Sequence, residues 1–373
     1  MELSAFGPPQ SSRRLFARFP WAALGLTVAV ALLGVWNLAS ASRGGHGNLW
    51  ASQLLWLAGG LALAFLLSLW DYRNLLALAW PIYGAVMLLL LAVAVHGKTV
   101  LGARRWLDLG PIHLQPSELA KLAVVVVLAK LFHERPPPKE GYGLPQLAIP
   151  FALILLPTAL VMKQPDLGTA LIVAAVGLTL CAFARIRTPT LVLLLVVGAA
   201  GSVGAWHHFL KGYQKKRIES FLNPEGDALG AGYHANQSII AVGSGRLLGK
   251  GWGKGTQTQL SFLPEQHTDF IFSVWAEEHG FLWCALLLLL YFGLFGWCLA
   301  VAGQARERFG SYLAAGVAGL VFWHVFINIG MVTGVLPVVG VTLPLMSYGG
   351  SSLLTVLLGL GVVWSVEMRR ATF

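Results

Sequence analysis

The chain has 373 residues, of which 56% are hydrophobic and only 11% charged, and its mean hydropathy is +0.69. Soluble domains carry about 25% charged residues, so this composition excludes a soluble globular protein and indicates a polytopic membrane protein. The net charge of +10 does not require a nucleic acid partner, because Lys and Arg in short loops set membrane topology and meet anionic lipid headgroups.

Ten apolar segments are long enough to cross a bilayer, which takes about 20 helical residues. The sequence therefore predicts an all-α polytopic membrane protein with about ten transmembrane helices, forming a single integral-membrane domain over residues 1–373. The predicted spans are residues 19–39, 50–70, 75–96, 116–133, 145–163, 168–184, 188–208, 269–302, 311–334 and 343–366.

The first span has features of a signal peptide. Arg13, Arg14 and Arg18 precede the apolar run, and Ala39-Ser40-Ala41 resembles a signal-peptidase site. An uncleaved first membrane helix is the favoured interpretation, because many spans follow it and no secreted domain does.

The orientation follows from Lys and Arg in the short loops. The side that holds both termini carries 13 of these residues, and the opposite side carries 5. Both termini are therefore expected in the cytoplasm, and the long segment 209–268 is expected outside. The 13 are Arg13, Arg14, Arg18, Arg73, Lys130, Arg135, Lys139, Arg185, Arg187, Arg306, Arg308, Arg369 and Arg370; the 5 are Arg43, Lys98, Arg104, Arg105 and Lys163.

The long outer segment begins with a basic stretch, Lys211 to Arg217, followed by Ile218, Phe221 and Leu222. This pattern predicts a short interfacial helix. The glycine-rich part from Gly243 to Lys254 fails the Walker spacing and is interpreted as a flexible outer loop. An alternative is that Arg246, Lys250 and Lys254 bind a pyrophosphate headgroup among exposed backbone N–H groups.

An acid stands where the outer segment meets the eighth span, in His267-Thr-Asp-Phe-Ile-Phe272. One interpretation is structural, because Thr268 is a good N-cap and an acid in the first turn is favoured by the helix dipole. We favour a functional role for Asp269, since an apolar run follows at once and Glu265 and His267 add titratable groups. Partial burial would raise its pKa, which suits a general base.

Further charged residues flank the same outer face. Glu118 and Lys121 are three residues apart on one helix face and are expected to pair. Asp166 precedes the sixth span and either caps its helix or joins the site. Arg104, Arg105 and Gln115 lie just before the fourth span. Convergence of these residues on Asp269 and His267 is the predicted site.

Two other features of the late spans stand out. Glu277 and Glu278 are adjacent acids inside the eighth span, and at least one is expected to face a cavity or a partner. Ser347-Tyr-Gly-Gly-Ser-Ser352 opens or interrupts the last span, either for close packing or as a re-entrant turn. His279 and His324 are interpreted as packing or hydrogen-bonding residues, and no spacing predicts a zinc site.

Five motifs in order resemble the SEDS family (shape, elongation, division and sporulation), from about residue 100 to the C-terminus. Short stretches at 255–260 and 335–340 look more like the elongation members than the division members, and His279 departs from the family pattern. The motifs are Arg104-Arg-Trp-Leu-Asp-Leu-Gly110, Gln115-Pro-Ser-Glu-Leu-Ala-Lys121, Gln164-Pro-Asp-Leu-Gly168, Phe262-Leu-Pro-Glu-Gln-His-Thr-Asp-Phe-Ile-Phe272 and Leu343-Pro-Leu-Met-Ser-Tyr-Gly-Gly-Ser-Ser352.

The resemblance implies a peptidoglycan glycosyltransferase of the bacterial cytoplasmic membrane that polymerises lipid II. It also implies a class B penicillin-binding protein and other elongation-complex membrane proteins as partners. The acid matching Asp269 is then the essential one, and Glu118, Lys121 and Asp166 line the cavity beside it. Positive charge for the departing pyrophosphate is expected from Arg104, Arg105, Lys121 or a divalent cation such as Mg²⁺ or Mn²⁺.

Two other functions compete with polymerisation. A lipid II flippase would also suit ten spans with acids in the membrane, although a transporter is expected to show internal repeats and polar residues near the midplane. A non-catalytic scaffold for a cell-wall enzyme would leave Asp269 dispensable. The outer-face clustering of the motifs favours the polymerase.

The predicted orientation is testable by cysteine labelling in a background without native cysteines. Because residues 209–268 are expected outside, Gly226→Cys should react with a membrane-impermeant thiol reagent in spheroplasts. Ala371→Cys should react only after the membrane is permeabilised. The reverse pattern would refute both the orientation and a site at the outer face.

Overall fold

The protein is a bundle of long helices with smaller elements in two of the connections between them. The computed structural model describes residues 18–43, 48–100, 103–108, 113–208, 212–222, 231–260, 262–263 and 265–370. Arg13, Arg14, Lys211, Gly226 and Ala371, which the sequence analysis used, lie outside the described residues.

Helices lie at all ten predicted spans, as the uninterrupted apolar stretches dictate. Seven of these helices are long and apolar enough to cross a membrane, judged by length and composition. The other three do not meet this criterion, because α6 and the apolar part of α7 are shorter and α4 carries two acids and two lysines. They are α1 (Trp21–Ala41), α2 (Leu49–Leu69), α3 (Asn74–His96), α4 (Pro116–Glu134), α5 (Leu144–Lys163), α6 (Leu167–Phe183), α7 (Thr188–His208), α11 (Ile271–Gln304), α12 (Arg308–Val332) and α13 (Gly350–Arg369).

Helices α4 and α12 form the centre of the bundle. Helix α4 contacts α3, α5, α6, α12 and α13, and α12 also contacts α6, α11 and α13. Most residues of both helices are buried, including Val124, Leu128 and Leu320. A helix that is apolar all round is stable only inside such a bundle or in lipid, so these two helices fix the frame of the site.

Smaller elements occupy the connections before α4 and before α11. Strands β1 (Lys98–Val100), β2 (Ala103–Asp108) and β3 (His113–Leu114) form an antiparallel sheet in the order β1-β2-β3, which the sequence analysis did not predict. The long segment between α7 and α11 contains α8 (Gly212–Leu222), α9 (Ala231–Ser244) and α10 (Thr256–Gln259). A helix, α8, is thus present where a short interfacial helix was predicted, and its position at the membrane interface stays a prediction.

Helix α11 is interrupted at Gly280, where φ is 75° and ψ is −173°. This backbone region is essentially reserved for glycine. The break frees carbonyl groups that a continuous helix would have bonded, and residues 245–254 replace those bonds. The amides of Lys250 and Gly251 donate to the carbonyls of Glu277 and Glu278, at 3.0 and 2.9 Å.

Residues 245–254, hereafter the docked loop, are therefore fixed rather than flexible as predicted. Their glycines allow the close approach: a β-carbon at Gly249 would lie 2.2 Å from the Glu278 carbonyl oxygen. On the far side of the break, Phe281 N donates to the Arg246 carbonyl at 2.9 Å. The glycine-rich pattern is thus explained by backbone-to-backbone docking.

The adjacent acids of α11 are fully buried and bonded. Glu277 accepts from Lys250 Nζ at 2.7 Å and from the hydroxyls of Thr256 and Thr258, at 3.1 and 3.2 Å. Glu278 accepts from Ser40 Oγ at 2.7 Å. Neither acid is exposed to lipid, and the Lys250 ammonium proposed as a pyrophosphate ligand is instead bonded to Glu277.

A methyl group at Gly280 should destabilise the protein. In Gly280→Ala the β-carbon would lie 2.3 Å from the Gly249 nitrogen, and the backbone region alone costs about 1–3 kcal/mol. We expect a lower melting temperature of the purified protein in detergent. Gly296→Ala in the same helix, where nothing lies within 4 Å, is the control; equal melting temperatures for the two variants would contradict the role of the break.

Candidate functional site

Asp269 lies in a turn that precedes α11. Helix α11 begins at Ile271 with no side-chain cap and no acid in its first turn. Thr268 donates instead to the Glu265 carbonyl, at 3.2 Å. The helix-cap interpretation of this Thr-Asp pair is therefore wrong, and Asp269 is free of that structural role.

The Asp269 turn is held by side chains from distant helices. Asn328 on α12 donates its Nδ2 to the Asp269 carbonyl at 2.9 Å and to the Val341 carbonyl at 2.6 Å. Asn37 on α1 donates to the Ile271 carbonyl at 2.9 Å. Because amide side chains replace missing helical bonds, the turn is fixed although it is irregular.

A second irregular segment, residues 339–349, packs against this turn. The last helix was predicted from residue 343, but α13 begins at Gly350. Ser347 Oγ donates to the Thr268 carbonyl at 2.6 Å, and Tyr348 N donates to the His267 carbonyl at 2.9 Å. The segment is an interruption before the last helix, and it forms one wall of the site.

The Asp269 carboxylate lies directly on this wall. A β-carbon at Gly340, where φ is +77°, would be 3.2 Å from Asp269 Oδ2. Glycine is required here both for its positive φ and for the close approach. The carboxyl group is thereby partly buried while it remains outside the helix.

Burial, as the largest cause, and the nearby Glu265 carboxylate raise the pKa of Asp269 from its ordinary value of 3.8 to about 6. The guanidinium groups of Arg217 and Arg105 oppose this rise in pKa. A carboxyl with a pKa near 6 is ionised at neutral pH and still basic enough to accept a proton in a reaction. This property fits the predicted general base.

Asp166 caps α6 and also joins two other predicted site residues. Its Oδ1 accepts from Thr169 N at 3.2 Å, and its Oδ2 accepts from Gln115 Nε2 at 3.2 Å. Arg105 Nη1 lies 4.0 Å from Oδ1. Arg105 also donates to the carbonyls of Gln164 and Pro165. Asp166 and its partners therefore connect β2 and the first residues of α4 and α6.

Glu118 and Lys121 form the ion pair that their spacing predicts. Lys121 Nζ lies 2.6 Å from Glu118 Oε2, and both side chains are buried. Lys121 Nζ is also 2.9 Å from His324 Nε2, while His324 Nδ1 is 3.0 Å from the Thr342 carbonyl. The pair is thus connected through α12 to the wall formed by residues 339–349.

The remaining predicted residues are more exposed. His267 is partly buried, and its Nε2 lies 3.8 Å from Glu265 Oε2. Arg104 is exposed on β2, where it pairs in register with Thr99. Arg105, Gln115 and Asp166 are therefore joined to one another, whereas Arg104 is at the edge of the arrangement.

Sequence reasoning missed Arg217, Asn328 and Gly340 as site residues. Arg217, on α8, donates its Nη1 to the Val339 carbonyl at 3.1 Å, and it had been assigned only to an interfacial helix. Asn328, a polar residue one helical turn after His324 in an apolar span, was a signal that could have been used. Gly340 gave no distinctive signal.

Two cavities differ sharply in character. The one between α11 and α12 has a volume of about 280 Å³ and is lined by apolar side chains such as Phe292, Phe322 and Val325. A smaller one of about 50 Å³ is bordered by Arg217 and Asn236. Hydrocarbon suits the first cavity, and only the second offers a charged group near Asp269.

A metal centre finds little support among the described residues. Within that part of the chain, no group of three or more His, Cys, Asp and Glu side chains converges to hold an ion. The divalent cation that the sequence analysis named as one source of positive charge for the leaving group stays a prediction.

The chain is similar to known proteins over nearly its whole length. Residues 14–372 match the model of the cell cycle protein family that includes FtsW, RodA and SpoVE. The peptidoglycan glycosyltransferase MrdB of Escherichia coli (strain K12) is 46% identical over 291 residues, or 78% of this chain and 77% of that protein. The protein of the same description in Helicobacter pylori (strain J99) is 40% identical over 324 residues, or 86% and 84%.

Solved structures are also similar. A chain of a peptidoglycan synthase complex that coordinates polymerisation and crosslinking superposes with a TM-score of 0.81 at 36% identity, covering 95% of this chain and 99% of that one. The Thermus thermophilus rod shape determining protein RodA superposes with a TM-score of 0.71 at 34% identity, covering 95% and 98%.

Glu118 and Lys121 should behave as a coupled pair. Glu118→Ala and Lys121→Ala each leave one buried charge uncompensated, which costs about 3–5 kcal/mol. The double variant should be less destabilised than the sum of the single variants, by about 0.5–3 kcal/mol. The measurement is thermal unfolding of the four proteins in the same detergent. Strict additivity would mean that the two residues act separately.

Proposed function

Because this chain belongs to the FtsW/RodA/SpoVE family, which is the SEDS family that its motifs resemble, we propose that it is a peptidoglycan glycosyltransferase. It polymerises lipid II into glycan strands for cell elongation and rod shape. The observation that carries this proposal is the partly buried Asp269 carboxyl, with its raised pKa, held outside the helix by side chains from three other parts of the chain.

Asp269 acts as the general base in this reaction. A sugar hydroxyl of one lipid-linked substrate loses its proton to the Asp269 carboxylate while its oxygen forms a bond to the anomeric carbon of the other. The bond from that carbon to the pyrophosphate breaks, and the electron pair leaves with undecaprenyl pyrophosphate. Attack opposite the leaving group converts the α linkage into a β linkage.

The other residues of the site position this base and the substrates. Glu118, Lys121, Gln115 and Asp166 form bonds that join α4, α6 and α12 around Asp269. A substrate with a long hydrocarbon tail needs a site at the membrane face, where its headgroup stays in water and its tail stays in lipid. The Asp269 turn, at the border between the outer segment and α11, suits such a substrate.

The protein is a multi-pass membrane protein, and we place it in the bacterial cytoplasmic membrane with both termini in the cytoplasm. The Lys and Arg bias supports this orientation. A class B penicillin-binding protein is the proposed partner, together with other membrane proteins of the elongation complex. The similarity to a synthase complex of polymerisation and crosslinking supports a partner of this class.

Replacement of the base should abolish polymerisation. Asp269→Ala or Asp269→Asn should lower the rate by about 10²–10⁴-fold, which is the usual contribution of a general base. The assay gives labelled lipid II to the purified protein, with and without its partner, and resolves the products by chain length. Glu219→Gln, which neutralises an exposed acid on α8, is the matched control and should keep wild-type activity.

The pH dependence tests the same assignment. Since the base is active only when ionised and its pKa is raised to about 6, the rate should fall as pH drops through about 6 and should be level above it. Activity of Asp269→Ala within threefold of the wild type would refute the base. If the protein moved lipid II across the membrane of a vesicle but made no polymer, a flippase would be favoured. If the partner's activity required this chain but not Asp269, a scaffold would be favoured.

A further inference from the structure

The proposed reaction places negative charge on the departing pyrophosphate, and some cation must bind it. This inference rests on the proposed function and assigns that cation. The candidates from the sequence were Arg104, Arg105 and Lys121. Arg104 is exposed at the edge of the arrangement, and the geometry shows how far the other two are committed elsewhere.

Two of these three cations are engaged in bonds within the protein. Lys121 is buried, and its ammonium contacts Glu118 at 2.6 Å and His324 at 2.9 Å. The Arg105 guanidinium donates to the carbonyls of Gln164 and Pro165 and lies beside Asp166. Binding a pyrophosphate would require these groups to leave partners that hold the fold together.

Arg217 is placed differently. Its Nη1 donates to the Val339 carbonyl at 3.1 Å, and the next residue, Gly340, supports the Asp269 carboxylate. The Arg217 guanidinium and the Asp269 carboxylate therefore contact consecutive residues, Val339 and Gly340, of the same wall. Among the described residues no carboxylate forms an ion pair with Arg217.

The surroundings of Arg217 form a site of suitable chemistry. It borders the cavity of about 50 Å³, which Asn236 on α9 also lines, together with apolar residues such as Ile239 and Leu336. The guanidinium is half-buried, so its charge is less screened than on an open surface. Guanidinium groups match phosphate oxygens in a bidentate geometry.

We propose that Arg217 is a catalytic residue that binds the pyrophosphate leaving group. As the anomeric C–O bond breaks, the electron pair moves onto the pyrophosphate oxygen, and the Arg217 guanidinium neutralises the added charge. The hydroxyl proton moves to Asp269 in the same step. In this displacement Asp269 thus acts on the attacking hydroxyl, and Arg217 acts on the departing pyrophosphate.

Substitution of Arg217 tests the assignment. Arg217→Gln should lower kcat by about 10²–10³-fold, the range seen when one charge-stabilising donor is removed, and Arg217→Lys should recover at least tenfold of that loss because it keeps the charge. Lys139→Gln, which removes an exposed positive charge from the connection between α4 and α5, should keep kcat within threefold of the wild type. Melting temperatures of all variants are measured first to confirm folding.

Two further readouts separate a catalytic role from a structural one. Inhibition by added undecaprenyl pyrophosphate should weaken at least tenfold in Arg217→Gln, whereas inhibition by undecaprenol, the same tail without charge, should not change. The acid limb of the pH profile should move to higher pH, because Arg217 lowers the pKa of Asp269. A slower variant with both readouts unmoved would overturn the proposal, as would a kcat within threefold of the wild type.

Failure of this inference is distinguishable from failure of the proposed function. If the wild type polymerises lipid II and Asp269→Ala does not, the function stands whatever Arg217→Gln does. If the wild type makes no polymer, direct binding of undecaprenyl pyrophosphate to the purified proteins still decides the role of Arg217. Equal binding by the wild type and Arg217→Gln would overturn it.

Discussion

The architecture depends on one constraint: backbone polar groups near lipid must be bonded wherever a helix is interrupted. Three irregular segments show this constraint: the Asp269 turn and residues 339–349 bond to each other, and the docked loop bonds to α11. Amide side chains supply the missing bonds, as when Asn328 donates to the carbonyls of Asp269 and Val341. The docked loop supplies the others through its own backbone at the Gly280 break. Buried amide side chains such as Asn37 and Asn328 thus stabilise the interruptions of the helices.

The same bonds preorganise the chemistry. A carboxylate in the first turn of a helix would be stabilised by the helix dipole and would be a weaker base. Asp269 lies before the helix, against Gly340, where burial favours its protonated form and raises its pKa. Arg217 opposes that shift, so the final pKa reflects a balance between desolvation and a nearby cation. A rigid frame keeps this balance from relaxing, which is the usual origin of electrostatic catalysis.

The sequence was sufficient for features set by local periodicity. Continuous apolar stretches predicted the helices, and the three-residue spacing predicted the Glu118–Lys121 pair. A helix cap was one of the two interpretations given for Asp166, and it was correct. Features set by contacts between distant segments were missed. Arg217 meets Val339 and Asn37 meets Ile271 only after the bundle forms. No local sequence pattern predicts such long-range contacts. Strands β1, β2 and β3 were missed because they are too short to show the alternating pattern of a strand.

The buried charges also bear on the choice between polymerase and transporter. A transporter moves charge through the membrane, so its ionisable groups must be able to exchange partners. In this chain the buried groups of the spans are held by several bonds each: Lys121 by Glu118 and His324, and Glu277 by Lys250 and two threonines. Arg369 is likewise bonded to the carbonyls of Ser68 and Leu69. Charges fixed in this way stabilise a frame, and they favour a reaction at one membrane face over passage through the bundle.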